Sequence, residues 1–261
     1  VSLALAAPES LPVADSVELS IARAPTGVLA SEPSWILSDT TRATLLPRAG
    51  GRALLRGRTL GTVRITARLT GTEFPGGVLA VERSLTVIPG RAARLQLQGA
   101  PAGVALAPGR LPAFVVRVVD VGGNTATRST RPVRLTLQAV GPALEAAPLG
   151  ESAANGLTLS GRTSASPVNG IATFDSVFVS GTGSNVVLAA ESDSLPTVAT
   201  ASPVRVALPA RVTVLDQPTA VTAGAVFAPT FRVAVQDAAG NPLTPATTPG
   251  QGAMATPGSG A

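Results

Sequence analysis

Apolar and polar residues alternate along this chain in short runs that end at Gly, Pro, Ser or Asn. Val17, Leu19 and Ile21 share one parity in SVELSIA, and a period of two recurs in TVRITARL (62–69), VLAVERSLTVI (78–88), FVVRVV (114–119) and RPVRLTLQAV (131–140). Successive side chains of a strand point to opposite faces, so each run predicts a half-buried strand. LTLSG (157–161), GIATFDSVFVS (170–180) and SNVVLAAES (184–192) are further candidates, with turns expected at Asn169-Gly170 and at Gly181 to Gly183. The segment around Trp35 and the apolar run at 53–55 add two more. VSLALAAPES reads as a first strand ending at Pro8; its LALAA also matches the end of a secretion signal, and the strand reading is preferred. Apolar spacings of three and four are missing, so long helices are not predicted.

The chain repeats itself. A shift of 117 positions aligns 92–130 with 209–247 without a gap, matching Arg94 with Arg211, Pro101 with Pro218, Pro112 with Pro229, Phe114 with Phe231, Val116 with Val233, Val118 with Val235, Asp120 with Asp237, Gly123 with Gly240 and Asn124 with Asn241. The shared positions are one face of a strand followed by Asp-x-x-Gly-Asn. Gly supplies positive φ there, and Asp and Asn side chains bond nearby backbone, so the repeated unit is a strand and a turn.

These patterns divide the chain into a module at 1–89, a second at 90–206, the first half of a third at 207–247, and a tail at 248–261 that lacks alternation and is expected to be disordered. A stretch at 141–156 rich in Pro, Gly, Ser and Ala is a loop within the second. About seven short strands in roughly 115 residues is the count of an immunoglobulin-like sandwich. The predicted fold class is all-β: tandem immunoglobulin-like β-sandwiches, the third module incomplete.

Composition narrows the chemistry. The 261 residues include no Cys, His or Tyr, and all 20 basic residues are Arg, against 15 acidic ones. Without His or Cys there is no Ser-His-Asp or Cys-His nucleophile and no soft-metal site, and without Lys there is no Schiff base or P-loop. The Arg residues are spread along the chain, and Arg64, Arg68, Arg94, Arg117 and Arg134 alternate with apolar residues inside candidate strands. They are read as the solvated outer face of half-buried sheets, and with few aromatics for stacking no nucleic-acid partner is expected.

The remaining candidates are weighed against structural readings. Glu191 and Asp193, at i and i+2, share a face at a strand end and are read as solvated, although two such carboxylates could share a Ca²⁺ ion. Asp120 with Asn124, and Asp237 with Asn241, raise the same question and are assigned to turn chemistry. No catalytic, cofactor or metal site is assigned, and Ca²⁺ is the one cofactor left open. Trp35, the only Trp, is read as a core residue rather than a sugar platform.

Segment 31–67 resembles the group 2 bacterial Ig-like pattern, with Trp35, then Ser38-Asp39, Ala43-Thr44, Gly50-Gly51, Leu54-Leu55, and Gly61 through Ala67 in order. VRVVDVGGNTAT and VAVQDAAGNPLT resemble the Asp-Ala-x-Gly-Asn-Pro hairpin of group 1, invasin-like modules, and NGIATFDSVFV their Gly-x-Ala-Thr strand; Val121 and Thr125 depart from the usual Ala and Pro. The resemblance implies a non-catalytic structural, adhesion or spacer module of an exported bacterial surface protein. The rival expectation is a carbohydrate- or protein-binding accessory region of a larger secreted enzyme. Expected partners are neighbouring modules and a host or cell-surface protein or glycan, and the expected location is secreted or at the bacterial cell surface, outer membrane-associated, with no membrane span in this segment.

Overall fold

The computed structural model describes residues 2–24, 31–71, 74–140, 153–154, 156–217 and 232–244. Its strands, in chain order, are β1 (Ser2–Ala6), β2 (Ser10–Pro12), β3 (Ser16–Ala24), β4 (Ser34–Leu37), β5 (Ala43–Arg48), β6 (Arg52–Gly57), β7 (Gly61–Thr70), β8 (Val78–Ile88), β9 (Arg94–Gln98), β10 (Ala105–Leu106), β11 (Gly109–Arg110) and β12 (Phe114–Val119). They continue as β13 (Val133–Ala139), β14 (Ala153–Ala154), β15 (Leu157–Gly161), β16 (Ser164–Ala165), β17 (Ile171–Phe174), β18 (Val177–Gly181), β19 (Gly183–Glu191), β20 (Val198–Ala199), β21 (Val204–Val206), β22 (Arg211–Asp216) and β23 (Arg232–Gln236). One 3₁₀ turn at Pro75–Gly77 is the helical element among the described residues. The fold is all-β, of tandem immunoglobulin-like sandwiches. The tail at 248–261 and most of the loop at 141–156 lie outside the described residues.

The chain forms two compact units, one of residues 1–94, 117–130 and 168–171, the other of 95–116, 131–167 and 172–261. In the first, two four-stranded sheets, β1-β3-β6-β5 and β2-β8-β7-β4, carry one core. The period of two sends Leu19, Leu55, Val63, Ile65, Leu69, Leu85 and Val87 into that core with almost no exposure. Arg64 and Arg68 face solvent on the opposite side of β7, as the alternation requires. The pattern did not reveal β2, which is three residues long, lies near Pro8, and pairs in parallel with β8 (Leu11 opposite Val87). Trp35 in β4 is half-buried and packs against the core from its margin, and its indole N–H is enclosed with no hydrogen-bond acceptor.

In the second unit β10-β21-β19-β13-β16 form one sheet with β20 on β19, and β11-β18-β15-β14 form another. Leu135, Leu157, Phe174 and Leu188 are fully buried, and the Phe114 and Phe174 rings stack at 5.5 Å. The repeated strands are β9 and β12, in the order β17-β12-β9, and the two-stranded ribbon β22-β23; residues 117–130, with Arg117 and Thr125, belong to the first unit. Arg134 lies exposed on β13, whereas Arg117 is half-buried and donates to the Thr125 hydroxyl at 2.6 Å.

Of the two turns expected from sequence, Asn169-Gly170 is one, whereas at Gly181 to Gly183 β18 runs to Gly181 and β19 begins at Gly183, so the glycines carry the chain from one sheet into the other rather than reverse it. Asn169 and Gly170 have φ of 50° and 76°, and Val168 and Ile171 exchange both backbone hydrogen bonds (2.9 and 3.0 Å). This is a two-residue hairpin with both central residues left-handed. A Cβ on Gly170 would lie 2.7 Å from the Ala126 carbonyl oxygen, so Gly170→Ala should cost more than about 1 kcal/mol. Leu55→Ala, at a fully buried site, should cost about 2–5 kcal/mol through lost burial and a cavity. Urea unfolding midpoints measure both; a midpoint unchanged by Leu55→Ala would contradict the assigned core.

Candidate functional site

The side chains with the most unusual environment are the two repeated aspartates. Asp120 and Asp237 are 0% and 2% exposed, and a carboxylate so enclosed must have its oxygens matched by donors. Both sit where a strand ends, β12 and β23, and the chain reverses in the same way after each. The Asp120 amide donates to the Asn124 carbonyl (2.9 Å) and the Asp237 amide to that of Asn241 (3.0 Å). Gly123 and Gly240 donate back to the Asp carbonyls (3.1 and 3.0 Å) from φ of 82° and 87°, a left-handed position that suits glycine. Ala126 then donates to Val118 and Leu243 to Val235, each at 2.8 Å, so the 117-residue repeat is reproduced bond by bond. Arg94 and Arg211 explain another matched pair: each guanidinium lies across the glycine of its own turn.

One carboxylate oxygen closes the turn. Oδ1 of Asp120 accepts from the Asn124 backbone amide at 2.8 Å and from Nδ2 at 3.2 Å; Oδ1 of Asp237 does so from Asn241 at 2.9 and 3.3 Å. The same Asn Nδ2 reaches Oδ2 at 3.1 Å in both. Oδ2 also faces an earlier stretch of chain, and there the copies differ. Asp120 takes the backbone N–H of Gly90 at 2.8 Å, while Asp237 takes the guanidinium of Arg205. Gly90 leaves no room for a side chain, since a Cβ would stand 2.6 Å from the Val13 carbonyl oxygen. Gly90 and Arg205 do not correspond under the 117-residue shift, which would pair Gly90 with Ala207 and Arg205 with Ile88. The repeat therefore could not announce them.

Electrostatics follow from these donors. Burial alone would raise the Asp120 carboxyl, but hydrogen bonds from Gly90, Asn124 and Gly122 outweigh it and hold the pKa below the ordinary value. Asn241 is the main cause holding Asp237 at about 2, against the opposing effect of burial and with help from Arg205. Asp39, on the surface, is likewise held at about 2 by the Thr41 hydroxyl and Arg42.

The other candidates are accounted for locally. Glu191 accepts from the Thr136 hydroxyl at 3.2 Å, and it is the Asp193 backbone carbonyl that accepts from Arg131. No group of three or more acidic side chains suited to a metal occurs among the described residues. With each oxygen of Asp120 and Asp237 already accepting two donors, Ca²⁺ could enter only by displacing the bonds that make the turn.

No protein-family model matches the chain, and no curated protein matches it. Among solved structures it is similar to domains 4–9 of the surface layer protein SbsC (16% identity, TM-score 0.35, covering 93% of this chain and 37% of that one). It is also similar to the Escherichia coli adhesin FdeC (15%, 0.40, 93% and 75%) and to a Parabacteroides merdae β-glucuronidase (14%, 0.27, 76% and 24%). The chain thus spans little more than a third of the first of these. Likenesses this distant carry no argument about function, and the groups 1 and 2 suggested by sequence find no matching family.

Two outcomes test the turn. A carboxyl whose folded pKa is depressed stabilises the fold above its unfolded value of 3.8, and that stability is lost as pH falls through about 2. Asp237→Asn should therefore flatten the loss of stability between pH 3.8 and about 2, read from thermal melts across pH. Asp120→Ala, which strips the Gly90 and Asn124 donors of their acceptor, should cost about 1–3 kcal/mol at pH 7. Millimolar Ca²⁺ should leave the Tm of the unaltered chain in place; a rise of several degrees would show a calcium site.

Proposed function

We propose that the chain is a non-catalytic structural and spacing segment of an exported bacterial surface protein, built from an Ig-like module at 1–89, a second at 90–206 and part of a third from 207. The observation that carries this reading is the use of the two buried carboxylates, Asp120 and Asp237, for closing turns and holding earlier chain. The composition supports it, because a chain without His, Cys, Lys or Tyr has few groups able to act as nucleophile or general base near neutral pH. No described helix is long and apolar enough to cross a membrane. The division of subtypes, group 2-like before residue 90 and group 1-like after, belongs to the same proposal and rests on the motifs around Trp35 and Asp120.

Display at the surface has a direct test. Proteinase added to intact producing cells should remove the immunoblot signal of the chain, while a cytoplasmic control survives. A signal that persists until the cells are lysed would overturn the surface reading. Purified chain incubated with polysaccharide and peptide substrates should release no product, and turnover above a heat-denatured control would overturn the non-catalytic reading.

A further inference from the structure

The outer face of the β1-β3-β6-β5 sheet carries a charge pattern that folding does not explain. Residues 52, 54 and 56 of β6 point away from the core that buries Ala53 and Leu55, and Arg58 continues the same parity. The register sets Arg48 of β5 directly opposite Arg52, Leu46 opposite Leu54, and Thr44 opposite Arg56. On the other side of β6, Arg52 faces Ser20, Leu54 faces Glu18 and Arg56 faces Ser16. Like charges placed directly across a strand pair destabilise a sheet, and among the described residues the four guanidiniums are answered by one weak contact, Arg52 to Glu18 at 3.6 Å. Arg48, Arg56 and Arg58 form no ion pair among the described residues. Leu46, between them, is 60% exposed. Beyond β6, Arg56 and Arg58 border an open cleft of about 450 Å³ with apolar lining from Val13, Ala14 and Val121.

We propose that this face binds an acidic polysaccharide laid along β6. Arg52 and Arg56 stand about 13 Å apart along the strand, with Arg58 just beyond its end, so carboxylates spaced at intervals along the polymer meet guanidiniums in the paired geometry that Arg favours. The C–H faces of the rings rest on Leu46 and Leu54, and the cleft takes the ring beyond Arg56. A nucleic acid fits less well, because the face offers no aromatic on which a base could stack. A peptide adding to the edge strand β5 would meet Pro47, which has no N–H to donate. The proposal assigns a ligand where the spacer reading needs none, and it does not depend on where in the cell the chain resides.

Calorimetry of the full chain with polygalacturonate at low salt tests it. Wild type should bind, and Arg48→Gln, Arg52→Gln, Arg56→Gln and Arg58→Gln together should weaken binding by about tenfold or more. A charge-matched variant altering the exposed Arg68, Arg128, Arg134 and Arg162 to Gln should stay within about twofold. Thermal melts of both variants confirm that they are folded. The proposal is overturned by wild type that does not bind, by equal losses in the two variants, or by equally tight binding to duplex DNA at matched charge.

Discussion

A carboxylate withdrawn from water must replace its hydration with donors fixed by the fold, and in this chain that requirement shapes two turns. At Asp120 the replacement is made entirely by N–H groups, those of Asn124, Gly90 and Gly122. At Asp237 the Gly90 amide gives way to the Arg205 guanidinium. Removing any donor leaves charge enclosed without compensation, so sequence around the turn is tightly constrained. Gly123 and Gly240 are needed for their left-handed φ, Asn124 and Asn241 for side chains that reach back four residues, and Gly90 because Val13 leaves space for nothing larger. The same saturation makes these acids poor ligands for calcium and poor bases for catalysis.

Much of the fold was legible because it depends on parity. Val17, Leu19 and Ile21 declare the face of β3, and Phe114, Val116 and Val118 that of β12. Where one face meets a core, shifting a strand by one residue would expose the whole set. The turn at Asn169-Gly170 was legible because few residue pairs tolerate two positive φ angles in succession. Three features were hidden for physical reasons. Parallel pairing of β2 with β8 leaves no local signal across so long a separation. The partners of the aspartate Oδ2 atoms are a backbone amide in one copy and a side chain in the other, so no shared residue marks them. Trp35 sits at the margin of its core, where one ring is half covered and its N–H is enclosed, and a single aromatic before an alternating run does not distinguish margin from centre.

The Arg residues show what register adds to composition. Read along the chain they are scattered, and on β7 and β13 they are the solvated face that alternation predicts. Arg48 and Arg52 lie close in sequence, but only the pairing of β5 with β6 sets them opposite each other and places Leu46 and Leu54 between that pair and Arg56. Turn aspartates that use up their acceptors and a sheet face that leaves guanidiniums unmatched describe a chain whose internal polar groups serve the scaffold, with its unspent charge turned outward.

The hydrogen bond from Gly90 to Asp120 is the contact by which the buried carboxylate holds earlier chain, and it can be watched at a single amide. Hydrogen exchange followed by NMR at pH 6 should find the Gly90 N–H strongly protected in the unaltered chain, with protection lost in Asp120→Ala while the amides of β7 and β8 keep theirs. A Gly90 amide that exchanges in the unaltered chain as fast as one in an unstructured peptide would contradict it.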